Sequence, residues 1–170
     1  MPSEKELDKV LHEALAERAE FRSWFVSRLT RARSHTRLVM CRSNHPWTKV
    51  RLILPNQETG ALEATEREGE TDVLAVFEDA SGHRVGVHIE NKRSSGSFTL
   101  HQPEVYAARA EHWVGSADYG GYQEWETVLL APEVFIARNE AAARKFTTRI
   151  TYEQIATRLP QFGVSDRADG

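Results

Sequence analysis

The chain has 170 residues, 40% apolar and 28% charged, which suits one domain with its own core. A single cysteine, Cys41, excludes an internal disulfide and a thiolate-rich zinc site, and a formal charge of −3 does not mark a general polyanion binder. No apolar run reaches the ~18 residues needed to cross a membrane, and the charged start MPSEKELDKV lacks the apolar core of a secretory signal, so a cytoplasmic protein is expected.

In chain order, residues 4–30 predict one long helix or two short ones, because Leu7, Leu11, Leu15, Phe21 and Phe25 recur at helical spacing without Gly or Pro. Ser3 with Glu6 forms a capping-box pattern. TRLVMCR (36–42) and KVRLIL (49–54) have strand composition and are separated by the breaker-rich SNHPW. The run from Arg28 to Arg51 carries seven basic residues and no acid; it reads either as a solvated face or as a phosphate-facing patch. Residues 56–70 read as a polar connection or edge excursion. TDVLAVFE (71–78) and RVGVHIENK (84–92) are the strongest strand signals. A loop over 93–102 leads into a helix over 103–117, YGGYQ breaks it, and WETVLLAP (125–132) is a buried strand. A helix over 132–146, a short strand over 147–152, a closing helix over 152–162 and a frayed tail over 163–170 complete the chain. This order predicts a single α/β domain over 1–170, with a mixed central sheet flanked by helices.

The chemistry concentrates around the hairpin of residues 71–92. A three-residue loop, Ala80-Ser81-Gly82, makes Asp79 and His83 the flanking pair, with Gly82 supplying the left-handed position. Counting outward, Val76 faces Gly86 and Asp72 falls opposite Glu90, where Cβ atoms lie ~4.5–5.5 Å apart. The period of two sends Val85, Val87 and Ile89 to the core, with Asn91 on their face, and puts His88, Glu90 and Lys92 on the other. Two opposed carboxylates beside one ammonium suit a hard cation such as Mg²⁺, for which Mn²⁺ can substitute, and the Asn91 carbonyl can add a ligand. Lys92 is placed to orient or deprotonate a water and to stabilise charge at phosphorus.

Asp72 followed by Glu90-Asn91-Lys92 resembles the D-x(n)-(D/E)-x-K signature of the PD-(D/E)xK phosphodiesterase superfamily, which includes restriction endonucleases and RecB-like repair nucleases. Gln102-Pro103-Glu104-Val105-Tyr106 looks like the Q-x-x-x-Y motif on the helix after the catalytic strand in RecB-like members. Together GETD, HIENK and HQPEVYAAR look like an uncharacterised bacterial branch. Thr71 stands where the family name has Pro. The resemblance covers about residues 7–110. It implies a restriction-endonuclease-like core and Mg²⁺-dependent hydrolysis of phosphodiester bonds. DNA is the expected substrate, with RNA as the alternative, and the protein acts alone, as a homodimer or within a larger complex.

In such enzymes an acid from the first helix often approaches the metal; the candidates are Glu13, Glu17 and Glu20. Resemblance favours Glu13, while helical phase brings Glu17 nearer the apolar stripe. Glu70, two residues before Asp72, can assist. Gln102 would contact a site carboxylate or phosphate, Tyr106 would brace the strand, and Arg109 can meet phosphate or remain solvated. His88 reads as a satisfied neighbour rather than a substrate contact, and the tryptophans, Trp47 included, as packing residues. A non-catalytic nucleic-acid- or partner-binding module on the same fold is the competing functional reading.

Overall fold

The computed structural model of the protein describes residues 2–164. Helix α1 (Glu4–Glu17) starts at a reciprocal capping box: the Glu6 N–H donates to Ser3 Oγ, and the Glu6 carboxylate accepts from the Ser3 N–H at 2.7 Å. The helical run expected over 4–30 resolves into two helices. The chain leaves helical geometry at Arg18 (φ −114°, ψ 99°), and α2 (Ala19–Ser27) begins there. Arg22 Nη1 then donates to the carbonyls of Leu15 and Ala16, which α1 leaves without helical partners.

Seven strands follow: β1 (Arg37–Arg42), β2 (Trp47–Pro55), β3 (Leu62–Glu70), β4 (Val73–Glu78), β5 (Arg84–Asn91), β6 (Glu124–Ala131) and β7 (Thr148–Thr151). Five of them form a mixed sheet in the order β1-β4-β5-β6-β7. β1, β4 and β5 pair antiparallel; β5, β6 and β7 pair parallel. Parallel neighbours need crossover connections. Helix α3 (Gln102–His112) lies in the crossover from β5 to β6, and α4 (Glu133–Arg138) with α5 (Glu140–Ala143) in that from β6 to β7. Helices α6 (Tyr152–Ala156) and α7 (Gln161–Val164) close the described chain.

The sheet is buried on both faces, as parallel sheets require. Val73, Ala75, Phe77, Val85, Val87 and Ile89 point into the main core with the apolar stripes of α1 and α2 and with Tyr152, Ile155 and Phe162. Their alternates, Leu74 and Val76, face Trp113 and Tyr122 on the opposite side, while Tyr106, Leu129 and Phe135 build a third cluster there. The result is an α/β architecture with a mixed central sheet between helical layers. Among the described residues no helix is long and apolar enough to cross a membrane.

The β4–β5 hairpin has the register read from its loop. The Asp79 N–H donates to the His83 carbonyl at 3.0 Å, Gly82 sits at φ 87°, and Val76 pairs with Gly86. Gly86 has a second reason to lack a side chain: a Cβ there would lie 2.4 Å from the Tyr122 ring. Tyr122 is fully buried and cannot withdraw, so Gly86→Ala is expected to cost about 1–3 kcal/mol of stability by overpacking, measured by urea unfolding.

Four expectations need correction. The polar run 56–70 contains β3, paired antiparallel with β2 in a separate two-stranded arm. Its outer face carries Glu66 and Glu68, which meet Lys49 across the strand, while Val50 and Leu52 of β2 pack beneath the arm on Val105 of α3. The helix expected over 132–146 breaks at Asn139, whose amide Nδ2 donates to the Phe135 carbonyl at 2.9 Å. The closing helix divides into α6 and α7 around Leu159 and Pro160. Of the tail expected to fray, Gly163 and Val164 belong to α7, and residues 165–170 lie outside the described residues.

The basic run does not form one surface. Arg31 lies over the Trp125 ring, Arg37 pairs with Glu78 at 2.7 Å, Arg42 lies over Tyr119, and Lys49 faces the acids of β3. Trp47, expected to pack, is 55% exposed at the base of the arm.

Candidate metal centre

One cavity of about 640 Å³ opens at the end of the sheet where β4 begins and β5 ends. Asp72, Glu90, Lys92, Gln102 and Tyr106 all line it, and so do Asp8 and His45.

Glu90 is almost fully buried. Its Oε1 accepts from Gln102 Nε2 at 2.7 Å and from Lys92 Nζ at 2.8 Å. Gln102 opens α3, and the residue before it, His101, holds a left-handed backbone (φ 58°) that turns the chain into the helix. Lys92 is 13% exposed and lies over the Phe98 ring, so its ammonium is not in bulk solvent. The Tyr106 hydroxyl accepts from the Asp72 N–H at 3.1 Å and contacts the Ile89 carbonyl at 3.4 Å, bridging the two strands that carry the carboxylates.

Asp72 directs Oδ2 to the Asn91 N–H at 2.9 Å. The Asn91 side chain points to the other face of the sheet, where Nδ2 donates to Asp8 Oδ1 at 2.9 Å and Oδ1 accepts from the Tyr152 hydroxyl. Asn91 therefore braces the acids through its N–H and amide and does not line the cavity. Glu13, Glu17 and Glu20 are all exposed, and Glu13 lies 3.9 Å from Lys9 on its own helix. Glu13 is thus displaced as the helix contribution, and Asp8, 1% exposed, is the acid that α1 delivers. Asp8 was legible: it lies three residues before Leu11 and seven before Leu15, on the apolar stripe, whereas Glu13 lies about 140° round the helix from it.

His45 had no sequence signal beyond its place in a breaker loop. Its backbone is left-handed (φ 53°), and among the described non-glycine residues only His45 and His101 have positive φ. His45 lines this cavity and His101 lies between its lining residues Leu100 and Gln102; backbone strain of ~1–3 kcal/mol persists only if the surroundings impose it. His45 Nε2 lies 3.2 Å from Asp8 Oδ2; Nδ1 lies 2.9 Å from Glu70 Oε1 and 3.6 Å from Asp72 Oδ1.

Behind the site the hydrogen bonds form a directed chain. Arg109, fully buried, donates from Nε to Thr71 Oγ1 at 2.9 Å and from Nη2 to the Glu70 carbonyl. Tyr122 donates to the Ala110 carbonyl, so it accepts from His88 Nε2, and His88 Nδ1 accepts from Thr71. His88 is thereby satisfied and neutral: burial, then the Arg109 charge, push its pKa well below the ordinary value. Thr71 also donates its N–H to the Pro46 carbonyl at 3.0 Å. Proline at 71 would lack both that donor and the hydroxyl.

The residues that can hold a cation are Asp8, His45 and Asp72, whose ligand atoms lie within 4.8 Å of one another, with Glu90 in the same cavity. Two features fit a cation here. Asp8 Oδ2 and His45 Nε2 are buried without a hydrogen-bond partner, and the carboxyls hold their protons unusually tightly. Burial, followed by the Glu90 and Asp8 charges, raises Asp72 well above the carboxylate range. Burial raises Glu90 as well, despite Lys92. For Asp8, burial pushes the carboxyl up to about 6 from 3.8, with Glu90 and Glu4 adding to it and the Asn91 amide and His45 opposing. For Lys92 burial opposes the charged form, but Glu90, Glu4 and Asp72 outweigh it and the ammonium is held above its usual value.

A carboxyl raised in the fold favours the native state at low pH. Asp8 adds stability that is complete below pH ~4 and lost as pH rises through about 6, a change of up to ~3 kcal/mol. A divalent cation replaces those protons. The rise in Tm caused by Mn²⁺ is therefore expected to be larger at pH 8 than at pH 5; equal shifts would dissociate cation binding from these carboxyls.

No family model, curated protein or solved structure matches the chain.

Proposed function

We propose that the protein is a divalent-cation-dependent phosphodiesterase that hydrolyses DNA, built on a restriction-endonuclease-like core. The observation that carries this reading is the convergence of Asp72, Glu90 and Lys92 with Asp8 and His45 in one cavity. The mixed sheet, with an antiparallel hairpin followed by a parallel crossover, supports the core assignment.

Asp8, His45, Asp72 and Glu90 would hold the cation. When bound, Mg²⁺ or Mn²⁺ supplies Lewis-acid charge to a phosphate oxygen and acidifies a water. Lys92 keeps its proton beside Glu90 and has two further N–H donors to offer a phosphate oxygen, so it acts as an orienting cation and not as a base. Gln102 fixes the rotamer of Glu90, and Tyr106 fixes the spacing of the strands that carry Asp72 and Glu90. Lys5, Arg67 and Arg109 line the same cavity and provide countercharge for a polyanion on a chain whose overall charge is negative.

Incubation of plasmid and of short single strands with the metal-stripped protein tests the reading. Cleavage is expected on adding Mg²⁺ or Mn²⁺, is lost with EDTA, and falls steeply with salt. Binding of DNA without cleavage under any of these cations would favour a non-catalytic module instead, and preferential cleavage of RNA would move the substrate assignment.

A further inference from the structure

We propose that His35, Asp79 and His83 form a second site, separate from the cavity, that binds a divalent ion of the zinc class at the opposite end of the sheet. Asp72 and Asp79 flank the two ends of β4, so the centres lie roughly 20 Å apart at a strand rise of ~3.3 Å per residue.

The donor atoms already converge. His35 Nε2 lies 2.9 Å from His83 Nδ1 and 3.6 Å from Asp79 Oδ2, and all three ligand atoms fall within 4.8 Å of one another. Two ligands bound to one tetrahedral zinc at ~2.0–2.1 Å are separated by roughly 3.3 Å, between the two observed distances. At 3.6 Å the carboxylate is too far for a hydrogen bond, yet well placed to share an ion.

The carboxylate is held in place by its own turn. Asp79 Oδ1 accepts from the Ser81 N–H, the Ser81 hydroxyl and the His83 N–H at 2.7–3.0 Å, which leaves Oδ2 facing His35. Such outer hydrogen bonds are what orient a metal-ligating carboxylate. His35 is 5% exposed and its Nδ1 has no partner. Burying an imidazole costs desolvation that an apolar side chain would avoid, and the nitrogen turned toward His83 and Asp79 is Nε2. As a ligand it contributes Nε2. His83 is half-buried, which leaves a path for the ion, and water in the fourth position completes the coordination.

Two imidazoles and one carboxylate select zinc, nickel or copper over magnesium. An ion there would tie the segment before β1 to the β4–β5 turn and so clamp the end of the sheet remote from the cavity. It would have a structural effect and would leave the chemistry of the cavity untouched.

The test uses the full, tag-free chain carrying His45→Asn, Asp72→Asn and Glu90→Gln, which leaves Asp8 alone of the four cavity ligands. One equivalent of ZnCl₂ is expected to bind and to shift the ¹⁵N resonances of His35 Nε2 and His83 Nδ1, and to resist displacement by excess Mg²⁺. His83→Ala, at the exposed turn, is expected to weaken binding at least about 100-fold, beyond the range typical for losing an outer hydrogen bond. Asp79→Asn, which keeps the Oδ1 acceptor and hence the turn, is expected to weaken it as well. Failure to bind Zn²⁺ at micromolar concentration, or binding that survives His83→Ala unchanged, would overturn the proposal.

Discussion

Replacing Asp72 by asparagine is expected to reduce DNA cleavage by on the order of 10³-fold or more, equivalent to ~4 kcal/mol of transition-state stabilisation, while raising the stability of the cation-free protein. The two effects have one cause. Asp72 is a buried carboxyl raised by burial and by the Glu90 and Asp8 charges, so without a cation its charge destabilises the fold. Asparagine keeps an oxygen to accept from the Asn91 N–H, so the brace at 2.9 Å survives. What is lost is a charged ligand. Removing an uncompensated buried charge in this way is expected to stabilise by roughly 1–3 kcal/mol in urea unfolding with EDTA at pH 8. Parallel losses of activity and stability would instead make Asp72 a structural residue.

Lys92→Met is expected to act with the opposite sign on stability and the same sign on activity. Glu90 is 3% exposed, and its charge compensation comes from the Lys92 ammonium at 2.8 Å. Methionine can fill the space over Phe98 but leaves Glu90 with neutral partners, the Gln102 amide and the Tyr106 hydroxyl, and no cation beside it. Breaking a buried pair from one side costs ~3–5 kcal/mol at pH 8. At pH 5 the loss is expected to shrink, because Glu90, already raised by burial, takes up a proton instead. Under the proposed phosphodiesterase reading, cleavage is expected to fall with it, because the ammonium that would face the phosphate is gone. The pair of variants therefore separates charge assembly from ordinary packing: both lose activity, and only one loses stability.

How much of this was readable from residues alone depended on whether local periodicity or tertiary contact decided the position. The β4–β5 hairpin was readable because a three-residue loop with Gly82 sets the register, and a period of two then carries that register to Asp72 and Glu90. The α/β class followed from the alternation of helical and strand patterns. β3 was not readable, because Glu63, Glu66, Glu68 and Glu70 swamp its pattern; its pairing depends on β2 and on the packing of that arm against α3. Asp8 was readable as well. A single acid on the Leu11–Leu15 stripe of an amphipathic helix is a buried charge in waiting, and phase alone excludes Glu13. His45 was beyond reach, since a breaker loop brings it to the site through a left-handed turn that no neighbouring residue announces.

The central claim is that the acids of α1, of the turn before β4 and of β5 and the imidazole of residue 45 close on one hard cation. Crystals soaked in Mn²⁺ and measured at the manganese edge test it most directly. An anomalous peak bounded by Asp8, His45, Asp72 and Glu90, with Lys92 alongside, is the expected result. Manganese found only elsewhere, or this cavity without a peak and its carboxyls hydrogen-bonded to one another, would contradict it.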